Sequence, residues 1–551
     1  MRERNELILS DLVAARAETQ PDRGVLTFEH WSLDRCATPD EVCTYARLDS
    51  NARRIAARLR ALGMQRGDRF ALVMRNHPEF VEAMLAASMG GWVFVPVDPR
   101  TPAARLAFML RNAGCRGVFA ADYCLGEVLA AQAQAPGVEW VLGLDSGEPG
   151  LANVDGACSV EPLAALLAAP VPAFDPAPVE LTDPYQIIYT SGTTGDPKGI
   201  VGNHRRIGST AFVAQLFGYQ PDERPYTGLS FSHNNAQTTA LIPALKFGYR
   251  AVISRRFTKS RLWGVCRRYD CTSFAVLGGM ATAIYSEPPR PDDADNPVRM
   301  IISSGMPASL WRKFEERFGV RLFEMYGASD GGGLACNPPG RGPVGSFGKP
   351  VFGAQMKILD DDGNEGAAGV VGEICGRPED GSDATVEDFN NPDASQKKIV
   401  AGWNRSGDMG HRDGEGWLFY DFRKGGGIRR NGDFIIPASV EQVVAEHPQV
   451  DDAYVWGVAA ASGAPGEMDL VAAVVPVDRA SFDAAAVFAH CRRELEANAV
   501  PTWLQVLDEI PKTASEKPQE RLLVQDFYRG GPHIVAAPAP ATATGPGGTT
   551  A

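Results

Sequence analysis

Apolar residues in the first part of the chain alternate between the spacing of a helix and that of a strand. Residues 45–62 and 79–89 carry apolar side chains at helical spacing. Residues 70–74 and 92–97 are short runs rich in β-forming residues. Short apolar strands separated by helices are typical of βαβ units. The pattern therefore predicts a parallel sheet with flanking helices.

The same alternation continues beyond a break in the middle of the chain. An Ala/Pro-rich piece at residues 164–178 predicts a connecting loop. A strand pattern returns at residues 186–189 and the alternation continues to about residue 350. After that point Gly/Asp turns and shorter strands dominate.

From Pro437 the pattern changes to a compact α-β-β-α-β series. The predicted elements, in that order, are residues 440–447, 453–458, 470–475, 482–496 and 504–507. A series of this length predicts a small α+β domain of about 100 residues. From Gly530 the chain is rich in Ala, Pro, Gly and Thr, which predicts a disordered tail.

Composition narrows the class of protein. A chain of 551 residues exceeds a single core, and its net charge of −13 argues against nucleic acid or anionic membrane as the main partner. No apolar stretch is long enough to span a bilayer, and no signal peptide is visible. The ten cysteines are scattered without a CxxC pair. They predict reduced thiols in a cytoplasmic protein.

The most informative motif is IIYTSGTTGDPKGIVGNH at residues 187–204. A β-rich run ends at Thr190 and a loop of Gly, Ser and Thr follows, closed by Pro197 and Lys198. Amides, hydroxyls and a lysine after a strand indicate a phosphate-binding loop. The GxxxxGK[ST] loop of P-loop NTPases is excluded, because Gly199 stands where Ser or Thr belongs. A flexible surface turn is the alternative.

TSGTTGDPKG resembles the signature of the adenylate-forming superfamily, which contains acyl-CoA synthetases, luciferases and peptide-synthetase adenylation domains. Further segments resemble the other family motifs in the expected order: EMYGASD at 324–330, GWNRSGD at 402–408, FYDFRKGGGIRRNGDFIIPASVEQVV at 419–444 and PKTASEK at 511–517. The resemblance covers roughly residues 10–525 and is closest to the crotonobetaine/carnitine-CoA ligase-like branch.

The resemblance implies an α/β fold with two domains. The large N-terminal domain, residues 1–422, would combine parallel sheets and flanking helices with a small β-barrel-like subdomain, and would bind AMP and the acyl group. A hinge at residues 423–427 would precede a small, mobile α+β lid at residues 428–528. Residues 529–551 would be the disordered tail.

The resemblance also implies an ATP site. The β- and γ-phosphates would contact Thr190, Ser191, Gly192, Thr193, Thr194 and Lys198. The adenine would lie against Gly305, Met306, Pro307 and Tyr326, and the α-phosphate against Ser329. Asp408 would accept from the ribose hydroxyls, and Arg423 would contact ribose and phosphate.

Further roles follow from the same resemblance. Lys517 would be the catalytic lysine, bridging the attacking carboxylate and the α-phosphate. Asp330 stands where the family has a glutamate that binds Mg²⁺. Gly425, in the triplet at residues 425–427, stands where the family hinge has Asp or Lys, and Gly432 would contact CoA. Glu516 replaces the small residue that usually precedes the catalytic lysine.

The acyl pocket is expected around FSHNNAQTT at residues 231–239. This segment contains no acid to pair with an ammonium group, which disfavours an α-amino acid substrate. His233 resembles the gate residue of acyl- and aryl-CoA ligases, and a hydrogen-bonded structural histidine is the alternative. Gly327 would leave the pocket floor open to a bulky acid. No carrier-protein segment is visible, which favours free CoA as acceptor.

Together these features predict an ATP-dependent, Mg²⁺-dependent, AMP-forming acid–thiol ligase. Its substrate would be a bulky hydrophobic or natural-product-like acid of secondary metabolism. After adenylation the lid would rotate, removing Lys517 and presenting a new face for CoA. Two alternatives stay open: transfer of the acyl group to a carrier protein or other nucleophile, and a degenerate nucleotide-binding protein without ligase activity. A homodimer is also left open.

Overall fold

The computed structural model divides the chain into two compact units. The large unit comprises Met1–Gly278, Pro289–Ser406 and Gly410–Phe419, and the small unit comprises Gly279–Pro288, Gly407–Met409 and Tyr420–Ala551. Within these units the structure describes residues 4–33, 39–147, 160–190, 197–327, 333–360, 362–384, 389, 398–424, 427–430, 433–435, 437–461, 468–513 and 518–538.

The first sheet of the large unit is the predicted parallel sheet. Its strands, in spatial order, are Val160–Pro162, Trp140–Leu144, Cys115–Ala121, Arg69–Val73, Val93–Val97, Pro184–Thr190 and Lys198–Asn203. Neighbours pair in parallel except the last two, which form an antiparallel hairpin. Val93–Val97 is buried along its whole length, as expected for a strand covered on both faces.

The helices of the large unit confirm both helical predictions near the start of the chain. Residues 45–62 were predicted as helical and the helix is Tyr45–Ala61, whose first turn is capped by the Thr44 side chain. Residues 79–89 correspond to Pro78–Gly90, which begins with proline and ends at Gly91 with a φ of 66°. Other α-helices that begin in this unit, among the described residues, are Leu9–Thr19, Ala103–Ala113, Leu125–Gln132, Leu163–Ala168, His204–Ser209, Val213–Phe217, Asn234–Ala236, Ile242–Phe247, Leu262–Tyr269, Gly278–Ser286 and Ala308–Phe318.

The loop prediction for residues 164–178 is wrong at its start. Leu163–Ala168 is a helix, and Leu163 is fully buried. Leucine and alanine are strong helix formers, so this short run folds as a helix when one of its leucines reaches the core. The prolines that suggested a loop lie after the helix.

The second sheet changes from parallel to antiparallel along its length. Its strands, in spatial order, are Ala354–Leu359, Gly372–Pro378, Trp403–Arg412, Leu418–Arg423, Ser346–Pro350, Leu334–Asn337, Arg321–Gly327, Met300–Ser304, Ser273–Leu277, Pro225–Thr227, Ala251–Ile253, Gly24–Phe28 and Glu41–Thr44, with Ile399–Val400 paired beside Trp403–Arg412. From Arg321–Gly327 to Gly24–Phe28 neighbouring strands are parallel.

The antiparallel half of this sheet has its own small core. Ala335, Phe347, Ile358, Ile374 and Leu418 are buried together, and Tyr326 packs against them. This region corresponds to the expected small β subdomain, formed here as an extension of the second sheet. It begins at the strand end that carries Tyr326.

The small unit follows the predicted α-β-β-α-β order. The corresponding elements are helix Pro437–Ala445, strands Val450–Ala459 and Met468–Pro476, helix Ala484–Glu494 and strand Trp503–Val506. Val440, Leu470 and Phe488 belong to the core that joins these elements. The unit also contains a hairpin of Ile428–Arg430 with Asp433–Ile435, and the helix Glu520–Asp526.

The prediction of a disordered tail is wrong for residues 530–538. Ile534–Ala536 is a strand that pairs antiparallel with Trp503–Val506, with Val535 opposite Leu504. The Val506 amide donates to the His533 carbonyl over 2.7 Å, and the Ala537 amide donates to the Thr502 carbonyl over 2.9 Å. A short β-branched run pairs with an available sheet edge here, despite the Pro- and Gly-rich surroundings. Residues 539–551 lie outside the described range.

Eight cysteines fall within the described residues, and all eight are buried free thiols. They are Cys43, Cys115, Cys124, Cys266, Cys271, Cys336, Cys375 and Cys491. Their burial agrees with the prediction of reduced thiols that fill the core. Among the helices that the structure describes, none is long and apolar enough to cross a membrane.

Candidate functional site

The predicted phosphate loop begins and ends at a pair of opposed strand residues. Thr190 lies opposite Lys198 in the antiparallel hairpin. The strand that ends at Thr190 runs parallel to Val93–Val97, so the loop leaves the carboxyl end of the first sheet. Ligands of α/β proteins bind at this end of parallel strands. Lys198 is half-buried, while Ser191, Gly192, Thr193 and Thr194 lie outside the described residues.

The predicted adenine segment is a tight turn between a strand and a helix. The strand Met300–Ser304 is followed directly by Gly305, which has a φ of 94°. The helix Ala308–Phe318 begins after Pro307. A φ in this range favours glycine. Gly278 approaches the turn closely, since a Cβ on Gly278 would lie 2.8 Å from the Gly305 carbonyl oxygen. Gly305 is exposed and Met306 is buried.

Glu324 holds this turn from the neighbouring strand. Its Oε1 accepts hydrogen bonds from the Gly305 amide over 2.5 Å and the Met306 amide over 3.3 Å. The side chain is buried, with 4% exposure for the residue. Burial raises the pKa of Glu324 to about 7, although the Gly305 and Met306 amides act in the opposite direction. Glu324 lies within the EMYGASD motif, but the family resemblance assigns it no role.

Tyr326 lies two residues beyond Glu324 on the same strand. Residues i and i+2 of a strand share one face, so the ring is on the side that faces the turn. One face of the ring stacks on Phe347, with centroids 4.6 Å apart and an interplanar angle of 29°. Gly327, the last residue of the strand, is exposed, and among the described residues a Cβ there would meet Leu334 Cδ1 alone, at 3.1 Å.

The two predicted ribose ligands form an ion pair in the small unit. Arg423 Nη1 donates to Asp408 Oδ1 over 2.6 Å, with side-chain exposures of 53% and 15%. Gly407, with a φ of 73°, precedes the aspartate, and its carbonyl accepts from the Lys424 amide over 2.7 Å. The backbone therefore fixes the carboxylate next to the guanidinium.

His233 is half-buried at the start of an irregular helical segment. Its Nδ1 accepts from the Asn235 amide over 3.2 Å, which places the proton of the neutral ring on Nε2. The short helix Asn234–Ala236 continues as a π-helix over Gln237–Leu241. π-helical turns are frequent at functional sites. This geometry is compatible with both interpretations of His233, as gate and as structural histidine.

Buried amide side chains fix the segment that carries His233. Asn76 Nδ2 donates to the carbonyls of Leu229 and Ser254 over 2.9 and 3.0 Å, and Asn76 Oδ1 accepts from the Phe231 amide over 2.8 Å. Gln237 Nε2 donates to the Phe231 carbonyl over 2.7 Å. Both polar backbone groups of Phe231 are thus bound by buried side chains. Sequence reasoning missed these amides, although buried Asn and Gln are a known sign of a fixed backbone segment.

Besides Ser191 to Thr194, five more predicted site residues lie outside the described residues: Ser329, Asp330, Gly425, Gly432 and Lys517. The side chain of Thr190 is likewise undescribed. In the part of the chain that the structure describes, no group of three or more His, Cys, Asp or Glu could hold a metal ion. The roles of these residues therefore stay predictions.

Comparison with known sequences matches both units of the chain. The AMP-binding enzyme family matches residues 13–379, and the AMP-binding enzyme C-terminal domain matches residues 439–517. The crotonobetaine/carnitine–CoA ligase of Proteus mirabilis (strain HI4320) is 28% identical over 486 residues, which are 86% of this chain and 91% of that protein. The enzyme of the same name from Escherichia coli O7:K1 (strain IAI39 / ExPEC) is 27% identical over 483 residues, again 86% and 91% of the two chains.

Solved structures share the fold over nearly the whole chain. The anthranilate CoA ligase AuaEII in complex with anthranoyl-AMP superposes with a TM-score of 0.79 at 21% identity, covering 94% of this chain and 96% of that one. A benzoate CoA ligase from Burkholderia xenovorans LB400 gives a TM-score of 0.77 at 23% identity, covering 94% and 99%. These similarities confirm the predicted α/β architecture.

Proposed function

We propose that the chain, which belongs to the AMP-binding enzyme family and is an AMP-forming acyl-CoA ligase, acts on a bulky hydrophobic or natural-product-like carboxylic acid. The observation that carries the nucleotide part of this proposal is the turn at Gly305–Pro307. It is held by a buried carboxylate, and Tyr326 lies on the same strand face as that carboxylate. An aromatic ring beside exposed backbone groups is suited to a purine base.

The other groups have roles that follow from their chemistry. Lys198 and the loop before it would hold the β- and γ-phosphates. Tyr326 would stack on the adenine with the ring face that does not contact Phe347. Asp408 would accept from the ribose hydroxyls while Arg423 keeps it oriented. Mg²⁺ on the ATP phosphates would take an oxygen of Asp330, since hard oxygen donors suit this ion, and Ser329 would contact the α-phosphate.

The reaction proceeds in two substitutions. The substrate carboxylate attacks the α-phosphorus of ATP, the bond to the bridging oxygen breaks, and pyrophosphate leaves. The CoA thiolate then attacks the acyl carbon of the mixed anhydride, and AMP leaves. Lys517 would neutralise developing negative charge in the first substitution. Gly425 would serve as the hinge between the two steps, and Gly432 would contact CoA in the second.

Two features bear on the acid: one favours a bulky substrate, and the other disfavours an α-amino acid. Gly327 is exposed and carries no side chain, and Leu334 is the one close neighbour that a Cβ there would have among the described residues, so this position itself does not fill the space beside Tyr326. The segment at residues 231–239 contains no carboxylate for a substrate ammonium group. The structural relatives named above act on anthranilate and benzoate, whereas the curated relatives act on crotonobetaine and carnitine.

An acid panel tests the proposal directly. Benzoate, anthranilate, crotonobetaine, carnitine, long-chain fatty acids and polycyclic aryl acids are each incubated with MgATP, with and without CoA, and AMP and pyrophosphate are measured. We expect the highest turnover with a bulky acid, and thioester formation with CoA. Thioester formation only with a holo-carrier protein would support the first alternative. No pyrophosphate with any acid would favour a nucleotide-binding protein without ligase activity.

A further inference from the structure

Glu324 is a buried carboxylate bound by backbone amides. In the described part of the chain, no Lys, Arg or His side chain forms an ion pair with it, and no charged group contributes to its pKa shift. A buried carboxylate without a counter-ion is costly unless hydrogen bonds compensate it. The compensating donors are two successive amides of one turn, Gly305 and Met306.

The turn also lies at the N-terminus of an eleven-residue helix. Gly305 and Met306 precede helix Ala308–Phe318, so the positive end of the helix dipole points toward the carboxylate. The Met306 amide is shared between the two carboxylate oxygens, at 3.3 and 3.4 Å. The carboxylate thus binds the amides of the two successive peptide units that flank the Gly305 Cα and fixes their orientation relative to each other.

We propose that Glu324 is a positioning residue that holds the Gly305–Pro307 turn in the conformation that binds the adenine ring. This inference rests on the proposed function, because that function places the adenine at the turn. Glu324 does not contact the reacting atoms. Its effect on the nucleotide is transmitted through the backbone of residues 305–307.

A negative charge suits this arrangement, because both amides donate to Oε1 and the Met306 amide is also 3.4 Å from Oε2. An ionised carboxylate has two oxygens that accept and no donor, whereas a glutamine presents one oxygen and an NH₂ group. Glutamine has nearly the same shape, so it removes the charge and one acceptor with little change in packing. Because hydrogen bonds to a charged acceptor are stronger than those to a neutral one, Glu324→Gln should weaken adenine binding by about tenfold.

Protonation should have the same effect as this substitution. The carboxyl has a pKa of about 7 because it is buried. The facing residues from the two adjacent strands are Ser303 and Asn337, neither of which titrates. The groups of the Gly305–Pro307 turn that bind the carboxylate are the backbone amides of Gly305 and Met306, which do not titrate. In the wild type, adenine binding should therefore weaken as the pH falls through about 7.

The test measures binding of adenosine and of MgATP by calorimetry, with no acid substrate present. Adenosine carries no phosphate, so its binding reports on the adenine site without phosphate titration. We expect Glu324→Gln to raise the Kd of both ligands about tenfold and to abolish the pH dependence of adenosine binding. In turnover assays the KM for ATP should rise, while the KM for the acid stays unchanged.

Glu315→Gln is the matched control. Glu315 Oε1 also accepts a backbone amide, that of Leu322 over 3.1 Å, but away from the turn. This variant should bind adenosine like the wild type. A folded Glu324→Gln protein with unchanged adenosine affinity would overturn the inference. If that variant does not fold, a wild-type adenosine Kd that is constant across about pH 6–8 would overturn it instead. Wild-type protein that binds neither adenosine nor MgATP would contradict the proposed function itself.

Discussion

Arg423 donates from Nη1 to Asp408 Oδ1 over 2.6 Å, so the two residues proposed to bind the ribose also bind each other. An exposed ion pair of this kind contributes little to stability. The ion pair instead fixes an orientation, because the Arg423 guanidinium holds the Asp408 carboxylate in one direction before a nucleotide binds.

Asp408→Ala should therefore impair nucleotide use more than folding. We expect the KM for ATP to rise about tenfold or more, because a charged hydrogen-bond acceptor is lost. Pyrophosphate release at varied ATP measures the effect, and thermal unfolding should change little. The control is Asp508→Ala, which breaks the exposed ion pair with Arg479 in the same unit. An Asp408→Ala enzyme with a wild-type KM for ATP would refute the ribose assignment.

Replacing Gly327 should change which acids are used. Gly327→Leu should add a side chain to the open space beside Tyr326, lowering kcat/KM for the bulkiest accepted acid by about tenfold or more while small acids are retained. The ratio of kcat/KM for a bulky and a small acid is the measurement. Gly414→Leu provides the control, since nothing lies within 4 Å of a Cβ at that glycine. Equal losses for all acids would show that Gly327 does not face the acyl group.

Asn76→Ala should destabilise the large unit and disturb the segment that carries His233. Three buried hydrogen bonds to the backbone of Leu229, Phe231 and Ser254 would be lost. At about 1 kcal/mol each, the free energy of unfolding should fall by about 3 kcal/mol, measured by urea denaturation. Asn364→Ala, which removes an exposed asparagine, should change it far less. A similar decrease in the free energy of unfolding in both variants would show that the buried Asn76 side chain adds no more stability than an exposed asparagine.

Lys517→Ala should abolish adenylation while thioester formation from supplied acyl-adenylate largely persists. The positive charge is needed only when the carboxylate attacks the α-phosphorus. Single-turnover assays of the two half-reactions separate the effects. Lys512→Ala is the matched control, because that lysine of the same segment is already paired with Asp452 over 2.5 Å. If both half-reactions of Lys517→Ala fell equally, the two-step account would be wrong.

Shortening the chain at two points separates the last strand from the residues after it. Removal of residues 530–551 deletes Ile534–Ala536, whereas removal of residues 539–551 leaves this strand in place. The first truncation should lower the free energy of unfolding of the small unit by about 2 kcal/mol or more, since two backbone hydrogen bonds at the ends of the strand and the pairing between them are lost. The second should leave it unchanged. Equal melting curves for both would show that the strand adds no stability.

The hydrophobic pattern predicted those elements whose whole length shares one periodicity. The predicted helix at residues 45–62 ends within one residue of the observed Tyr45–Ala61, and the α-β-β-α-β order of the small unit is as predicted. The pattern failed where a short run differs from its surroundings. Leu163–Ala168 and Ile534–Ala536 were both hidden by the Pro-rich composition around them.

Roles could be assigned from the sequence where a local motif resembles that of the family, and these roles stay predictions. Gly305, Tyr326, Asp408 and Arg423 were all assigned roles from sequence. Glu324, Asn76 and Gln237 were not assigned roles. Their side chains bind backbone groups of other segments, and a backbone group leaves no mark in the sequence. The Asn76 side chain bonds residues 153 and 178 positions away. No local pattern records such a contact.

The burial of the described cysteines bears on how the enzyme tolerates its own intermediate. An acyl-adenylate is an activated anhydride, and a protein thiolate near it would be acylated in competition with CoA. Burial raises the pKa of Cys115 to about 12 and that of Cys336 and Cys491 to about 11, so these groups stay protonated at neutral pH. These three thiols are therefore poor nucleophiles, and since all eight described cysteines are buried, a thiol-reactive probe should modify them slowly in the folded enzyme.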